Sequence, residues 1–243
     1  GVSSMIRSTP VIVSSVRMLR PSRPMILPFI SSFGSGTTEI VEAIFGLKRI
    51  DEGSITFLGK PYEAPAPYKS LRRGIGMLAK DRKHSLLLHM PIYCNIALSN
   101  AYDFVRFKIV RLQKKERTES EIYAKKLRLK AASVQHLASS LSGGNQQKVV
   151  ISRLLCAKCK LFIMDDPTRG IDVGAKIDVY NAINELTAEG NSVILISSQL
   201  PELLGISDRI LVARDGTIAG EFDARSCTQE EIMSIIAGGE KHE

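Results

Sequence analysis

Two aspartates close an apolar run, Leu161-Phe-Ile-Met-Asp165-Asp166-Pro167. Ionised groups beside a core are costly unless they are paired or bound to a cation. The carboxyl edge of strands in an open α/β sheet is where ligands sit. A magnesium-phosphate site accounts for both acids, with Asp165 in the Mg²⁺ shell and Asp166 orienting a water. The same residues also read as a turn capped by Asp ahead of Pro167. A second feature is the turn Ser31-Ser-Phe-Gly-Ser-Gly-Thr-Thr38, which runs into Glu39-Ile-Val-Glu-Ala-Ile-Phe-Gly46. Backbone amides at a glycine turn and helix N-terminus form a phosphate cradle. Against the phosphate-loop pattern G-x-x-x-x-G-K-[ST], Gly36 and Thr38 fit. Ser31 stands in place of the first glycine and Thr37 in place of the lysine. A third feature, Leu141-Ser-Gly-Gly-Asn-Gln-Gln-Lys148, opens a helix with free amides and a hydroxyl able to face an anion.

These residues need elements to hold them. Gly53 to Gly59 and Gly74 to Leu78 read as strands, and Pro61 to Pro67 as a loop. From Pro91 to about Leu141 the pattern is helical, basic and without a strong strand. Beyond it the spacing predicts a helix over 145–156, a buried strand over 161–164, and a helix over 175–188 with Ile177, Tyr180, Ile183 and Leu186 on one side. A strand over 192–197 precedes a short helix begun by Pro201. Residues 209–213 and 217–221 form a hairpin around Asp215-Gly216. Continuous apolar strands alternating with helices indicate a parallel sheet covered on both faces. In residues 1–30, Pro10, Pro21, Pro24 and Pro28 argue against long central strands. Val11–Val13 and Met25–Leu27 read as short edge strands.

The chain has 243 residues, 44% hydrophobic and 24% charged, which is globular composition with material for a substantial core. No run approaches the roughly 20 apolar residues needed to cross a bilayer. It begins at Gly1 without a signal-peptide pattern and reads as an excised domain or a tag remnant. Four cysteines, sparse and unevenly spaced, suit free thiols in a reducing compartment. Cys156 and Cys159 have the spacing of half a zinc site, but no second pair completes four ligands; the alternative is packing. The net charge of +8 is concentrated: residues 106–130 hold ten Lys and Arg against three Glu. A solvated helix face explains that stretch, as would contact with nucleic acid or acidic membrane. No aromatic-interleaved or helix-turn-helix pattern supports the former, and no specific nucleic acid is expected.

Residues 141–148 resemble the signature motif of ATP-binding-cassette (ABC) proteins, in the form found in sugar importers of the ribose/galactose/xylose type. Asp165-Asp-Pro-Thr-Arg-Gly-Ile-Asp-Val-Gly-Ala-Lys176, Ile196 to Leu204 and Ser207 to Val212 follow in the family's order and spacing. The resemblance covers about residues 31–235. It implies an α/β fold with a P-loop NTPase (RecA-like) core and mainly parallel sheet, a small antiparallel β region and a helical subdomain inserted at about 91–150. The whole of 1–243 would be one nucleotide-binding domain, with 1–30 irregular. Such domains sandwich two ATPs head to tail, so each site joins the phosphate loop of one domain to the signature of the other. By position, Gly34, Ser35, Gly36, Thr37 and Thr38 would line the phosphate loop, and Thr38 and Asp165 would serve Mg²⁺. Asp166 holds the place of the catalytic glutamate, Lys80 that of the water-contacting glutamine or glutamate, and Ser198 that of the phosphate-sensing histidine. Ser142, Gly143, Gly144 and Gln146 would face the partner's ATP, and Asp172 would lie between the domains. The implied partners are a second nucleotide-binding domain and transmembrane permease subunits, placing the chain peripherally at the cytoplasmic face of the inner membrane.

Several positions depart from the family. Thr37 cannot supply the lysine's charge to the β- and γ-phosphates. Asp166 is one methylene shorter than glutamate and pulls its carboxylate back by about an ångström, which can lower a rate by about a hundredfold. No aromatic precedes Phe29 to stack on adenine. Loss of the lysine and the histidine is typical of the second domain in tandem sugar-importer ATPases; Ser31 and Lys80 go further. The expectation is a degenerate ATP site of the chain's own beside an intact signature. An ABC ATPase of another class that contacts nucleic acid, and a non-catalytic ABC remnant, are the alternatives.

Overall fold

Strands that are apolar at every position need cover on both faces, and the chain supplies it around one six-stranded sheet. The structure, a computed structural model, describes residues 12–18, 26–31, 36–50, 52–63, 66–81, 85–106, 110–214 and 217–237. The first part of the chain runs β1 (Ile12–Met18), β2 (Ile26–Ser31), α1 (Thr37–Phe45), β3 (Glu52–Phe57), β4 (Lys60–Tyr62), α2 (Pro67–Arg72) and β5 (Ile75–Leu78). A mostly helical segment follows. It comprises α3 (Ile92–Ala97), a 3-10 stretch (Leu98–Phe104), β6 (Val105–Arg106), β7 (Val110–Arg111), α4 (Gln113–Lys126) and α5 (Gly143–Cys156). Then come β8 (Leu161–Asp165), α6 (Val173–Ala188), β9 (Ser192–Ser197) and α7 (Leu200–Ile206). The last elements are β10 (Arg209–Arg214), β11 (Thr217–Asp223) and α8 (Gln229–Ile236).

The main sheet has the order β11-β10-β2-β9-β8-β5, parallel except for the antiparallel edge strand β11. β8, β9 and β10 are buried along nearly their whole length, with successive residues facing opposite sides of the sheet. Leu161, Ile163, Ile194, Ile196 and Leu211 pack with Ile40, Val41 and Ile44 of α1. Phe162, Met164, Val193, Leu195, Ile210 and Val212 pack on the other side with Val149 of α5 and Val179 and Ile183 of α6. A smaller sheet, β1-β3-β4, joins a parallel pair to an antiparallel one. Helix α1 stops at Gly46, whose φ of 90° lies in the left-handed region that glycine reaches without strain.

The structure corrects several expectations. β1 does lie at an edge, but β2 occupies the sheet interior between β9 and β10 despite Pro28. Pro28 pairs in register with Leu195, and Leu27 and Phe29 hold the rows on either side. Of the stretch Pro61 to Pro67, read as loop, Pro61 and Tyr62 belong to the strand Lys60–Tyr62, which continues the hairpin from β3, and Pro67 opens a helix. The basic segment contains a two-residue ladder between β6 and β7. Ile177 is 56% exposed; Val179, Ala182, Ile183 and Leu186 form the buried side of α6. Helix α8 was not foreseen, although Thr228 and Glu231 form a capping box that the sequence displays as T-x-x-E. The turn at Asp215-Gly216 lies outside the described residues, as do Pro10, Pro21 and Pro24. Cys156 and Cys159 are packing residues: both are buried, and burial pushes both thiols up to about 12.

Two polar arrangements fasten the helical segment. Asn95, fully buried, accepts from the Leu87 amide and donates to the carbonyls of Leu87, Met90 and Pro91. Arg153 of α5 donates to Asn95 O at 2.7 Å, Ser85 O at 2.6 Å and Asn95 Oδ1 at 3.2 Å. Ion pairs also run along α6: Lys148 with Asp178 at 3.1 Å, Arg128 with Glu185 at 2.9 Å, and Lys126 with Glu189 at 2.5 Å.

Candidate functional site

Register alone gathers the first group of candidates. Asp165 pairs with Ile196, Ile196 with Phe29, and Leu78 with Met164, so β5, β8, β9 and β2 end at one edge of the sheet. Helix α1 begins there, after β2. Its N-cap, Gly36, has φ 83°, a left-handed turn that suits glycine, and carries no side-chain cap. The first amides of α1 are therefore not closed off by a capping side chain, as a phosphate cradle requires. Thr37 is buried and Thr38 half-buried. Gly34 and Ser35 lie outside the described residues.

Asp165 is 3% exposed. Burial pushes its carboxyl above the usual aspartate range; Lys80 pulls it back, while Asp166 and Glu42 push it further up. Lys80 is exposed, two residues beyond β5. Asp166 has φ 48° and donates its amide to Ile196 O at 2.8 Å, so a left-handed residue turns the chain away from the sheet. Ser198 is exposed just past β9, and the Gln199 amide donates to Ser197 Oγ at 3.1 Å. Among the described residues no group of three or more His, Cys, Asp or Glu is placed to hold a metal ion by itself. One carboxylate and one hydroxyl, on Asp165 and Thr38, fit the chemistry of magnesium, which keeps waters and phosphate oxygens as ligands and needs one or two protein oxygens. Thr38 and Asp165 would hold it, and when bound it would neutralise phosphate charge.

The raised Asp165 carboxyl carries a stability consequence. An acid with a raised folded pKa disfavours the fold once ionised, so stability is lost as pH climbs from the ordinary aspartate range through the folded value. Asp165→Asn is expected to raise the melting temperature at pH 7 by about 2–4 °C, the equivalent of about 1 kcal/mol in a chain of this size. The gain should vanish at a pH low enough to protonate Asp165. Melting curves at both pH values check this.

A second group lies at the N-termini of α5 and α6. Ser142 is the exposed N-cap of α5; its hydroxyl accepts from Asn145 Nδ2 at 2.9 Å and does not cap the helix amides. Gly143 is half-buried. Gly144 is buried, and a Cβ on it would stand 2.5 Å from Ala175 Cβ, so it also lets α5 and α6 approach. Gln146 turns back to donate to Leu141 O at 3.1 Å. Asp172 caps α6, accepting from the Ala175 amide at 2.9 Å. No hydrogen bond or ion pair among the described residues joins this group to Asp165 or Asp166.

A third cluster was not singled out from sequence. Glu202 of α7 accepts from Lys176 Nζ at 2.7 Å through one oxygen, and from Tyr180 Oη and Thr168 Oγ1 through the other. Lys176 Nζ also donates to Gln199 Oε1 at 2.9 Å. The sequence signal was Tyr180, polar at its tip, on an otherwise apolar helix side.

Comparison with known proteins gives consistent results. The profile of the family described as ABC transporter matches residues 27–169. A ribose import ATP-binding protein of Bacillus subtilis is 44% identical over 207 residues, covering 85% of this chain and 42% of that protein. A xylose import ATP-binding protein of Thermoanaerobacter pseudethanolicus is 44% identical over 219 residues, covering 89% of this chain and 43% of its own length. The chain thus spans less than half the length of these relatives. Among solved structures, a nucleotide-free ATP-binding cassette from an ABC transporter superposes with a TM-score of 0.72 at 24% identity, covering 88% of this chain and 84% of that one. A dimeric post-hydrolysis cassette bound to ADP and phosphate gives 0.69 at 20% identity, covering 84% and 87%. These likenesses establish the fold.

Proposed function

The chain belongs to the ABC transporter family, and on that premise we propose that it is an ATP-binding domain of a sugar importer whose own ATP site is weakened and whose signature helix completes the site of a partner domain. The observation that carries this reading is the separation of the two groups. The Ser142 end of α5 is exposed, and among the described residues no hydrogen bond or ion pair joins it to Asp165 or Asp166. That arrangement suits a helix N-terminus offered to a triphosphate held by another domain.

Sequence similarity to ribose and xylose import proteins supports the sugar-import reading. Their lengths, more than twice the matched region, suit a tandem arrangement in which a sister domain shares the chain. The partners would then be that sister domain and permease subunits, at the cytoplasmic face of the inner membrane. ATP and Mg²⁺ would bind at the edge formed by α1, β5, β8 and β9. Gly34, Ser35, Gly36, Thr37 and Thr38 would cradle phosphate. Asp166 would orient water from a left-handed backbone and a shortened side chain. Lys80 and Ser198 would stand where stronger polar partners of the phosphate usually act. Among the described residues, no helix is long and apolar enough to cross a membrane, which suits a peripheral role.

Isothermal titration and steady-state assays of the isolated chain test this. ATP is expected to bind with Mg²⁺, while turnover stays at least about a hundredfold below an ordinary enzyme rate of about 10 s⁻¹. Turnover near that ordinary rate, abolished by Asp166→Asn, would overturn the weakened-site reading.

A further inference from the structure

We propose that Glu202 is a positioning residue that ties the loop carrying Asp166 to the loop carrying Ser198, so that both reach bound nucleotide as one unit; this rests on the nucleotide-binding reading above. The two loops leave adjacent strands, β8 and β9, and nothing in a parallel ladder fixes them once the strands end. One backbone bond spans them, from the Asp166 amide to Ile196 O at 2.8 Å. Glu202 adds the side-chain connection. Its carboxylate takes Thr168 Oγ1, two residues beyond Asp166, at 3.3 Å, and Thr168 is 1% exposed. Through Lys176 it reaches Gln199, the residue after Ser198. Ser198 is thereby held on both sides, because the Gln199 amide also bonds Ser197 Oγ.

The hub needs a carboxylate. One oxygen accepts from an ammonium and the other from two hydroxyl-bearing side chains. Glutamine has a single acceptor oxygen and would turn an NH₂ toward one of these donor groups. Burial works against the charge of Glu202, yet hydrogen bonds from Lys176 and Tyr180 outweigh it and hold the carboxyl below the usual glutamate range. The donors come from two places in the chain, the loop after β8 and helix α6, and Lys176 extends the link to Gln199 in the loop after β9 by donating to its Oε1 as well. A carboxylate serving only to anchor α7 would need no link to both loops.

The test is a titration of the full chain with Mn²⁺ in place of Mg²⁺, in the presence of ATP, followed by electron paramagnetic resonance. Glu202→Gln is expected to weaken Mn²⁺ binding to the ATP complex about tenfold, the scale of one hydrogen bond to a charged group. ATP affinity in EDTA should stay within about twofold, since the side chains bonded to Glu202 are Thr168, Lys176 and Tyr180, none of which belongs to the cradle on α1. Tyr180→Phe, which removes one donor and keeps the ring, is expected to weaken Mn²⁺ about threefold. Should Glu202→Gln fail to fold, Tyr180→Phe decides by the same criterion. Unchanged Mn²⁺ affinity with a lowered melting temperature would assign Glu202 to fold stability alone and overturn the proposal. If the unsubstituted chain binds no ATP, the nucleotide reading itself falls and takes this one with it.

Discussion

Gly144→Ala is expected to destabilise the chain by about 2 kcal/mol net and to displace the N-terminus of α5. In an open helix the same change would stabilise by about 1 kcal/mol, because alanine is the better helix former. Here the new methyl would stand 2.5 Å from Ala175 Cβ and 3.4 Å from its Cα. Those atoms belong to the first turn of α6 and cannot swing aside as the tip of a long side chain could. Overpacking therefore wins over propensity. The relief has to come from parting the two helices where Ser142, Gly143 and Asp172 lie. The double variant Gly144→Ala/Ala175→Gly should recover most of the loss, because the missing methyl moves to the facing helix. Urea unfolding of the two single variants and the double one measures this. A Gly144→Ala chain as stable as the parent would show that the helix contact is looser than described.

Arg153→Leu should cost more, about 4 kcal/mol, or abolish folding. Arg153 is 8% exposed, and among the described residues no carboxylate pairs with it. Burial lowers its pKa to about 10, so it remains charged at neutral pH. Its partners are neutral oxygens, at Ser85 and Asn95. Leucine would remove every donor and strand the Ser85 and Asn95 carbonyl oxygens, at about 1–3 kcal/mol for each group left unsatisfied, while Asn95 Oδ1 keeps the Leu87 amide. Arg153→Lys keeps the charge but offers no planar fork, and is expected to recover less than half of the loss. The midpoint of denaturant unfolding reports both. The loop over 85–91, held through Asn95, should become susceptible to proteolysis in both variants.

Much of the architecture could be read from the chain because its signals were local. Val193-Ile-Leu-Ile196 is apolar at four consecutive positions and became an interior strand. Gly46 ended α1 where a left-handed residue was needed. The failures came where partners were distant in sequence. Pro28 reads as an edge residue until β9 and β10 are known to flank it, since parallel pairing joins segments about 170–180 residues apart. Ile177 matched the period of a buried helix side, but it is exposed, and the side of α6 that packs inward runs through Val179, Ala182, Ile183 and Leu186. At the candidate site, Asp165 and Asp166 stood out because acids rarely end a core strand. Arg153 and Glu202 did not, because an Arg or Glu in a helix reads as a solvated side chain until its distant partners are in view. Gly144 looked like a ligand-facing glycine only; its second role depends on Ala175, 31 positions further on.

The ion pairs along α6 bear on the basic stretch of the chain. Of the ten cations in residues 106–130, Arg111, Lys115, Lys126 and Arg128 each lie within 4 Å of a carboxylate. Lys126 and Arg128 draw theirs from α6 and its C-terminal end, outside the stretch itself. A polyelectrolyte such as RNA gains affinity by shedding condensed counterions as cations replace them. Cations already matched to fixed anions displace fewer of those ions, so the stretch would bind such a chain less tightly, and with a shallower ionic-strength dependence, than its composition suggests. Part of its positive charge is already answered by the chain's own carboxylates.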